Sequence, residues 1–192
     1  IVDKTGTLTE GRPKLTDVIP AEGFDEARLL GLAASLEKGS EHPLAEAIVE
    51  GARERSAPVG DAAEFEAITG KGVKGTVEGA AVALGNRAMM EALGVDTGAL
   101  REQGDALRSE GKTAMLVAVD GRLAGIVAVA DPVKASAAAA IRTLHASGLK
   151  IIMATGDNAL TAKAVAERLG IDEVRADMLP EHKKALVDEL RA

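Results

Sequence analysis

Several residue types are scarce or missing in this sequence of 192 residues, and each absence excludes a class of function. Because there is no Cys, the chain cannot form a disulfide, a thiolate metal site or a thiol nucleophile. There is no Trp or Tyr, Phe occurs only twice, and the formal net charge is −7. Nucleic-acid-binding domains usually carry a basic stripe or aromatic side chains that stack on bases, so we expect no nucleic acid as a partner.

Long apolar runs are also missing. The longest has six residues, Ala114–Val119, and Ile126–Ala130 and Ala137–Ile141 have five each, whereas a transmembrane helix needs about 20. The N-terminus shows no basic region followed by an apolar one, so no signal peptide is predicted. A content of 46% hydrophobic and 28% charged residues is typical of a globular protein with a core.

The spacing of apolar residues predicts a parallel sheet at the two ends of the sequence. Residues 1–2 have the character of the end of a buried strand. After Asp131-Pro132 the pattern predicts a helix over 134–146, a strand over 150–154, a helix over 158–169, a short strand near Val174 and a helix over 180–190. Alternating helices and strands indicate crossover connections between parallel strands.

The middle of the sequence has a different pattern. It predicts helices after Asp25 and at Pro43, short antiparallel strands over 65–85, a helix over 100–108 and a hairpin around Asp120-Gly121. The fold class is therefore predicted as α/β, with an α+β domain inserted into the parallel-sheet domain. We expect the insertion to span 18–128 and the parallel-sheet domain to comprise 1–17 and 129–192.

Two glycine motifs match phosphate-binding patterns without the required context. Gly70–Gly75 fits G-x-G-x-x-G, yet a strand and a turn are predicted after it instead of the helix that would hold a pyrophosphate. Gly111-Lys112-Thr113 lacks the first glycine of a P-loop, because position 106 is Ala, and a strand follows it. We expect neither a dinucleotide site nor a P-loop, although turn glycines can still let a ligand approach the backbone.

The most informative motif is Asp3-Lys4-Thr5-Gly6-Thr7-Leu8-Thr9. It places a carboxylate at the carboxyl end of a predicted parallel strand, where open α/β sheets bind ligands. An ionised carboxylate can attack a phosphoryl group and form an acyl phosphate. Since two anions then approach each other, Mg²⁺ and fixed donors must neutralise the developing charge. Asp3 is the predicted nucleophile, and an ordinary turn is the alternative interpretation.

A second strand ends at Thr155-Gly156-Asp157, and Lys183 lies in the first turn of the helix predicted from Pro180. A hydroxyl, a lysine and a carboxylate that meet at one sheet edge would form a phosphoryl-transfer site. Position 5 carries Thr, where an acid would accelerate hydrolysis of the acyl phosphate. The phosphorylated form is therefore expected to persist long enough to drive another process.

Together these motifs resemble a known family. Asp3–Thr7, Thr155–Asp157 and Pro180 with Lys183 are similar to the phosphorylation domain of P-type ATPases, within the haloacid dehalogenase superfamily. Ser40–Ala45, Gly70–Gly72 and Gly85-Asn86 resemble the nucleotide-binding domain of the heavy-metal subfamily, in particular of its copper-exporting branch. The resemblance implies a truncated haloacid dehalogenase-like, Rossmannoid parallel sheet that carries an inserted nucleotide-binding domain.

The resemblance also implies cofactors and residue roles. ATP would phosphorylate Asp3, and Asp3 and Thr5 would hold Mg²⁺. The residues around the transferring phosphoryl group would be Lys4, Thr155, Asp157 and Lys183. Those at the adenine end of ATP would be Glu41, His42, Gly70, Gly72 and Asn86. Asp131–Lys134 would form the hinge by which the chain returns to the phosphorylation domain.

The family's further parts lie outside this sequence. They include a Gly-Asp-Gly-x-Asn-Asp segment, whose aspartate completes the Mg²⁺ site, and the transmembrane and actuator domains. The resemblance thus implies a soluble domain on the cytoplasmic side of an integral membrane protein, which binds ATP but phosphorylates itself poorly in isolation. The transported ion, expected to be copper(I), would bind elsewhere. A soluble phosphatase of the same superfamily and a nucleotide-binding module without chemistry remain the alternatives.

Overall fold

The computed structural model describes residues 1–191. The strands are β1 (Val2–Asp3), β2 (Lys14–Pro20), β3 (Ala62–Ile68), β4 (Gly72–Val77), β5 (Ala80–Gly85), β6 (Thr113–Val119), β7 (Arg122–Ala130), β8 (Ile152–Ala154) and β9 (Glu173–Arg175). The helices are α1 (Glu26–Glu37), α2 (Pro43–Glu54), α3 (Arg87–Ala92), α4 (Arg101–Ser109), α5 (Ala137–Ala146), α6 (Ala159–Leu169) and α7 (Pro180–Arg191).

The chain forms two compact units. The first unit contains Ile1–Arg12, Arg108–Thr113 and the chain from Asp131 onward. The second unit contains Pro13–Leu107 and Ala114–Ala130. Each unit has its own sheet and its own hydrophobic core, and each is described separately below.

The first unit is built on a parallel sheet with the order β1-β8-β9. Asp3 is paired with Ala154, and Ala154 with Arg175, so the three strands end at one edge. The buried side chains of Leu8, Ile141 and Met153 belong to one core cluster with residues of α6. This arrangement brings the residues that follow β1, β8 and β9 to the same place.

The second unit is an antiparallel sheet of six strands in the order β2-β7-β6-β5-β4-β3. Neighbouring residues of β7 face opposite sides, as they must in a strand. Val127 and Val129 pack in one core cluster with α1 and α2, while Ile126 and Ala128 pack in another with α3 and α4. Helices therefore cover parts of both faces of this sheet.

The structure confirms the predicted mixed α/β class with one parallel and one antiparallel sheet. α1 begins after Asp25, whose carboxylate accepts a hydrogen bond from the Arg28 amide at 2.9 Å. The β6–β7 hairpin turns at Asp120-Gly121, with φ of 48° and 73°, the left-handed values that such a two-residue turn requires. The strands β4 and β6 follow Gly70-Lys71 and Gly111-Lys112, so neither glycine motif opens a helix.

Four elements differ from the sequence-based expectation. β2 and α3 were not predicted, and α5 begins at Ala137 instead of residue 134. Ile1 is 49% exposed, so β1 is not deeply buried at its start. Among the described residues, the helices are too short or too polar to cross a membrane.

Candidate phosphorylation and nucleotide sites

A tight loop follows β1, whose last residue is the predicted nucleophile Asp3. The Thr9 amide donates to the Lys4 carbonyl at 3.1 Å and closes the loop, while the Thr9 hydroxyl lies 3.0 Å from the same carbonyl and 2.5 Å from Asp131 Oδ2. Gly6 adopts a φ of 75°, a conformation that glycine reaches without the strain a Cβ would cause. The loop thus turns sharply directly after Asp3 and leaves the carboxylate at the sheet edge.

Asp3 forms an ion pair with Lys183, a residue near the other end of the sequence. Its Oδ1 accepts hydrogen bonds from the Lys4 amide at 2.8 Å and from Lys183 Nζ at 2.7 Å. The Asp3 side chain is 46% exposed, so its carboxylate remains open to a ligand. Lys183 lies in the first turn of α7, as its sequence position relative to Pro180 predicts.

A second ion pair lies at the same edge. Lys4 Nζ contacts Asp157 Oδ2 at 2.7 Å, and the Lys4 side chain is only 7% exposed. Thr155 is buried, and its Oγ1 accepts a hydrogen bond from the Asp157 amide at 3.1 Å. Five of the six predicted residues of this group are therefore joined by direct contacts. Thr5, the sixth, lies exposed in the loop between Lys4 and Gly6.

The segment Asp131–Lys134 holds the same loop from the other side. Asp131 Oδ1 accepts from the amides of Gly11 and Arg12 at 2.9 and 3.1 Å. Lys134 Nζ donates to the Gly6 carbonyl at 2.7 Å. The conformation of the loop after Asp3 is thus fixed by residues more than a hundred positions away in sequence.

A groove of about 570 Å³ lies in the second unit near the start of α2. His42 caps this helix: its Nδ1 accepts a hydrogen bond from the Leu44 amide at 3.2 Å, and its side chain is exposed. The residues that line the groove are Glu37, Lys38, Ser40, Glu41, His42, Glu46, Val49, Glu50 and Arg53. Glu41 and His42 therefore belong to one concave, acid-rich surface.

Glu37 is a residue of this groove that the sequence interpretation missed. It is 5% exposed, and among the described residues no hydrogen-bond partner is present for its Oε2. Burial raises the pKa of the Glu37 carboxyl above its ordinary value, partly offset by a hydrogen bond from Ser40. In the sequence Glu37 looks like the polar end of α1, and the one available signal was its position five residues before His42.

Gly70, Gly72 and Asn86 form a separate turn in the second unit. Asn86 Nδ2 donates to the Gly70 carbonyl at 2.8 Å, and the Asn86 amide donates to the Lys71 carbonyl at 2.9 Å. Gly72 pairs with Gly85, and a Cβ at Gly72 would lie 2.2 Å from the Leu84 carbonyl oxygen. In the described part of the chain, hydrogen bonds do not join this turn to Glu41 or His42.

Comparison with known proteins gives a consistent family. The sequence model of haloacid dehalogenase-like hydrolases matches residues 1–192. A copper-transporting P-type ATPase of Rhizobium leguminosarum bv. viciae is 66% identical over 100% of this chain and 23% of its own length. A silver exporting P-type ATPase of Salmonella typhimurium is 46% identical, with the same two coverages.

A solved structure agrees with these relatives. A zinc-transporting PIB-type ATPase in the E2.Pi state is 39% identical, with a TM-score of 0.74, over 98% of this chain and 30% of that one. The chain thus spans about a quarter to a third of the length of the proteins that it matches. The chain belongs to the haloacid dehalogenase-like hydrolases, and the relatives that it matches over its whole length are heavy-metal P-type ATPases.

Proposed function

We propose that this chain is the ATP-dependent phosphorylation part of a heavy-metal P-type ATPase, in which Asp3 receives the γ-phosphoryl group of ATP. The observation that carries the proposal is the 2.7 Å contact between Lys183 Nζ and Asp3 Oδ1 at the carboxyl edge of the parallel sheet. The exposed carboxylate beside this cation is placed to attack an anionic phosphoryl group. The first unit would then be the phosphorylation domain, and the second the nucleotide-binding domain.

The chemistry follows from how the two oxygens of Asp3 are occupied. Oδ1 is engaged by the Lys4 amide and by Lys183, which leaves Oδ2 as the attacking atom. A bond forms between Oδ2 and the γ-phosphorus, the bond from that phosphorus to the bridging oxygen breaks, and ADP leaves with both electrons. Lys183 and the Thr155 hydroxyl would balance the charge that develops on the phosphoryl oxygens.

Lys4 would act through its ion pair with Asp157 instead of by direct contact with the phosphoryl group. Its buried ammonium holds Asp157 Oδ2 at 2.7 Å and keeps that carboxylate in a fixed position beside Thr155. Because Lys4 is 7% exposed, water screens this pair little. The pair would keep the electrostatic field at the site constant before ATP arrives.

Mg²⁺ fits the oxygen donors of this loop. In phosphoryl-transfer sites it usually binds one or two carboxylates, several waters and the substrate phosphates. In residues 1–191, no cluster of three or more acidic or His side chains forms a full protein cage for a metal. Asp3 and Thr5 would therefore hold the ion together with the nucleotide, and the ion would supply positive charge at the γ-phosphate.

The groove of the second unit would take the nucleoside end of ATP. Four acids line it, Glu37, Glu41, Glu46 and Glu50, against two bases, Lys38 and Arg53, and this acidic excess disfavours the triphosphate there. The buried Glu37 carboxyl, with its raised pKa and unpaired oxygen, suits the amino and ring-nitrogen groups of adenine. The sequence resemblance assigns Gly70, Gly72 and Asn86 to the same nucleotide. They form the turn at the start of β4, which has open space beside Gly70.

We further propose copper as the transported ion and a longer membrane protein as the context. The copper-transporting relative is 66% identical, against 46% for the silver exporting relative and 39% for the zinc-transporting structure. The rest of such a protein, including its transmembrane and actuator domains, would be the main partner of this chain. In that setting the chain would lie on the cytoplasmic side of the membrane.

A chimeric transporter tests the proposal. This chain replaces the matching segment of the Rhizobium leguminosarum relative, and the product is incubated with γ-labelled ATP and Mg²⁺. We expect a hydroxylamine-sensitive phosphoryl label and growth in copper, both lost in Asp3→Asn. Asp96→Asn, which changes an exposed acid of the second unit, is the matched control and should retain both. A label that persists in Asp3→Asn would disprove the assignment of the nucleophile.

Nucleotide titration of the 192-residue chain tests the groove. We expect His42→Ala to raise the Kd for ATP by about tenfold or more, because contact between a ring and a base is worth roughly 1–3 kcal/mol. His145→Ala, whose ring pairs with Asp172 in the first unit, is the control. Equal affinity in wild type and His42→Ala would remove His42 from the site.

A further inference from the structure

Along the sequence, a short segment that belongs to the first unit interrupts the second unit. Residues Arg108–Thr113 belong to the first unit, although most of α4 and β6 on either side belongs to the second. At its centre Gly111 has a φ of 83°, and a Cβ there would lie 3.3 Å from Val165 Cγ2 of α6. The segment is therefore packed closely against α6, and we call it the 108–113 turn.

Thr161 connects the 108–113 turn to the start of α6. This residue is 1% exposed, and its Oγ1 donates a hydrogen bond to the Lys112 carbonyl at 3.1 Å. The same Oγ1 accepts from Asn158 Nδ2 at 3.0 Å, while the Thr161 amide donates to Asn158 Oδ1 at 3.0 Å. The hydroxyl thus donates its single proton to the 108–113 turn, and one of its lone pairs accepts a hydrogen bond from Asn158 at the helix cap.

The connection ends one peptide bond from the phosphorylation site. Asn158 follows Asp157, whose carboxylate pairs with Lys4 and whose amide donates to Thr155 Oγ1. A rotation of the Asn158 backbone would move Asp157 directly, because the two residues share a peptide plane. Displacement of a positioned group by about 1 Å is enough to slow a reaction by roughly 100-fold.

We propose that Thr161 is a positioning residue, through which the 108–113 turn sets the place of Asp157 at the phosphorylation site. Its catalytic consequence rests on the proposed function, whereas the mechanical connection does not. The Gly111-Lys112-Thr113 motif then has a role unrelated to P-loop chemistry. Its backbone carbonyl, instead of its lysine side chain, is the functional group.

Two matched variants test this role. Thr161→Val keeps the shape of the side chain and removes the hydroxyl, while Thr161→Ser keeps the hydroxyl. In the 192-residue chain, we expect hydrogen exchange of the Lys112 and Asp157 amides to accelerate together in Thr161→Val and to stay at the wild-type rate in Thr161→Ser. The Val127 and Val129 amides of the second unit serve as unaffected controls.

In the chimeric transporter, we expect Thr161→Val to slow labelling by about 10- to 100-fold per folded molecule, with the Kd for ATP unchanged. Thr161→Ser should label close to the wild-type rate. A purely structural role would lower the melting temperature of Thr161→Val and leave its labelling rate unchanged, and that result overturns the proposal. Exchange that accelerates at Lys112 alone overturns it as well. If the wild-type chimera takes no label, the proposed function fails, and the exchange result still decides whether Thr161 positions Asp157.

Discussion

Glu37 occupies a position where a negative charge is unfavourable. Its side chain is 5% exposed and its Oε2 is unpaired within the described residues, so the hydrogen bond from Ser40 compensates for ionisation only in part. The folded protein consequently holds the proton more tightly than the unfolded chain, and the pKa of the carboxyl is raised above 4.5. A functional surface offers a reason for such an unfavourable residue that packing alone does not.

This reasoning gives a prediction for stability against pH. Because the folded state binds more protons than the unfolded state at Glu37, its contribution to the free energy of unfolding falls as the pH rises from 4.5 through the raised pKa. We expect Glu37→Gln to remove this decline and to be the more stable protein at neutral pH. Urea unfolding of both proteins across the acidic to neutral range measures it. Glu46→Gln is the exposed control, and an equal pH slope in wild type and Glu37→Gln would contradict the prediction.

The contact between Asp3 and Lys183 could be predicted from the sequence, whereas the burial of Glu37 could not. Parallel strands bring their carboxyl ends to one edge, so the residues after β1 and β8 and the start of α7 had to lie close together. Glu37 follows a helical run of apolar residues and looks like the polar end of α1. Only the three-dimensional structure shows that this end is covered by its surroundings.

At the scale of elements, the strands and helices with strong periodicity were predicted and those that depend on tertiary contacts were not. The strand β2 contains polar Lys14 and Asp17 and ends at Pro20, which obscures its alternation. It forms because it lies at the edge of the sheet and pairs only with β7, where a bulge and a proline are tolerated. The helix α3 has six residues and depends on Met89 and Met90, both 0% exposed.

The start of α5 shows how a tertiary contact shortens a helix. Sequence periodicity placed the start at Lys134, but the Lys134 amide donates to the Leu8 carbonyl at 2.9 Å and its Nζ to the Gly6 carbonyl. These bonds hold residue 134 beside the loop after Asp3. The helix therefore begins only at Ala137.

The β4–β5 hairpin yields a prediction about backbone packing. Gly72 has a φ of 150°, and a Cβ there would lie 2.2 Å from the Leu84 carbonyl oxygen. We expect Gly72→Ala to destabilise the chain by about 2–5 kcal/mol, through strain and collision together. Gly79→Ala is the matched control, because Gly79 has a φ of 80° but no atom within 4 Å of the added Cβ.

Urea unfolding of the two glycine variants separates the two causes. Backbone strain alone should lower the free energy of unfolding of Gly79→Ala by about 1–2 kcal/mol. Any further loss of stability in Gly72→Ala therefore measures the collision. Equal losses in both variants would show that β4 and β5 move apart at little cost. A larger Kd for ATP in Gly72→Ala alone would support the turn's proposed place at the nucleotide.

At the scale of the whole molecule, the second unit is continuous in sequence from Pro13 to Ala130 except for the 108–113 turn. Its two core clusters draw their side chains from within that range, so its stability does not depend on the core of the first unit. We expect a fragment of residues 13–130 to unfold cooperatively in urea and to bind ATP with the affinity of the full chain. Loss of binding with folding intact would place part of the nucleotide site in the first unit.

The same fragment tests independently whether Thr161 stabilises the conformation of the 108–113 turn. Because Thr161 is absent from it, the Lys112 carbonyl loses its hydroxyl partner. We expect amides of the turn to exchange faster in the fragment than in the full chain, while the amides of β7 keep their protection. Unchanged exchange in the turn would show that its conformation is set by α4 and β6.

Asp3 and the lysine that accompanies it are separated by 180 residues, which has a consequence for the newly made polypeptide. Translation proceeds from the N-terminal to the C-terminal side, so Asp3 leaves the ribosome long before Lys183. During this interval the complete second unit is synthesised, and β1 lacks its pairing partner β8. A ribosome-bound chain is therefore unable to form the contact between Asp3 and Lys183 until α7 has emerged, so any activity that needs this contact begins only after α7 has been made.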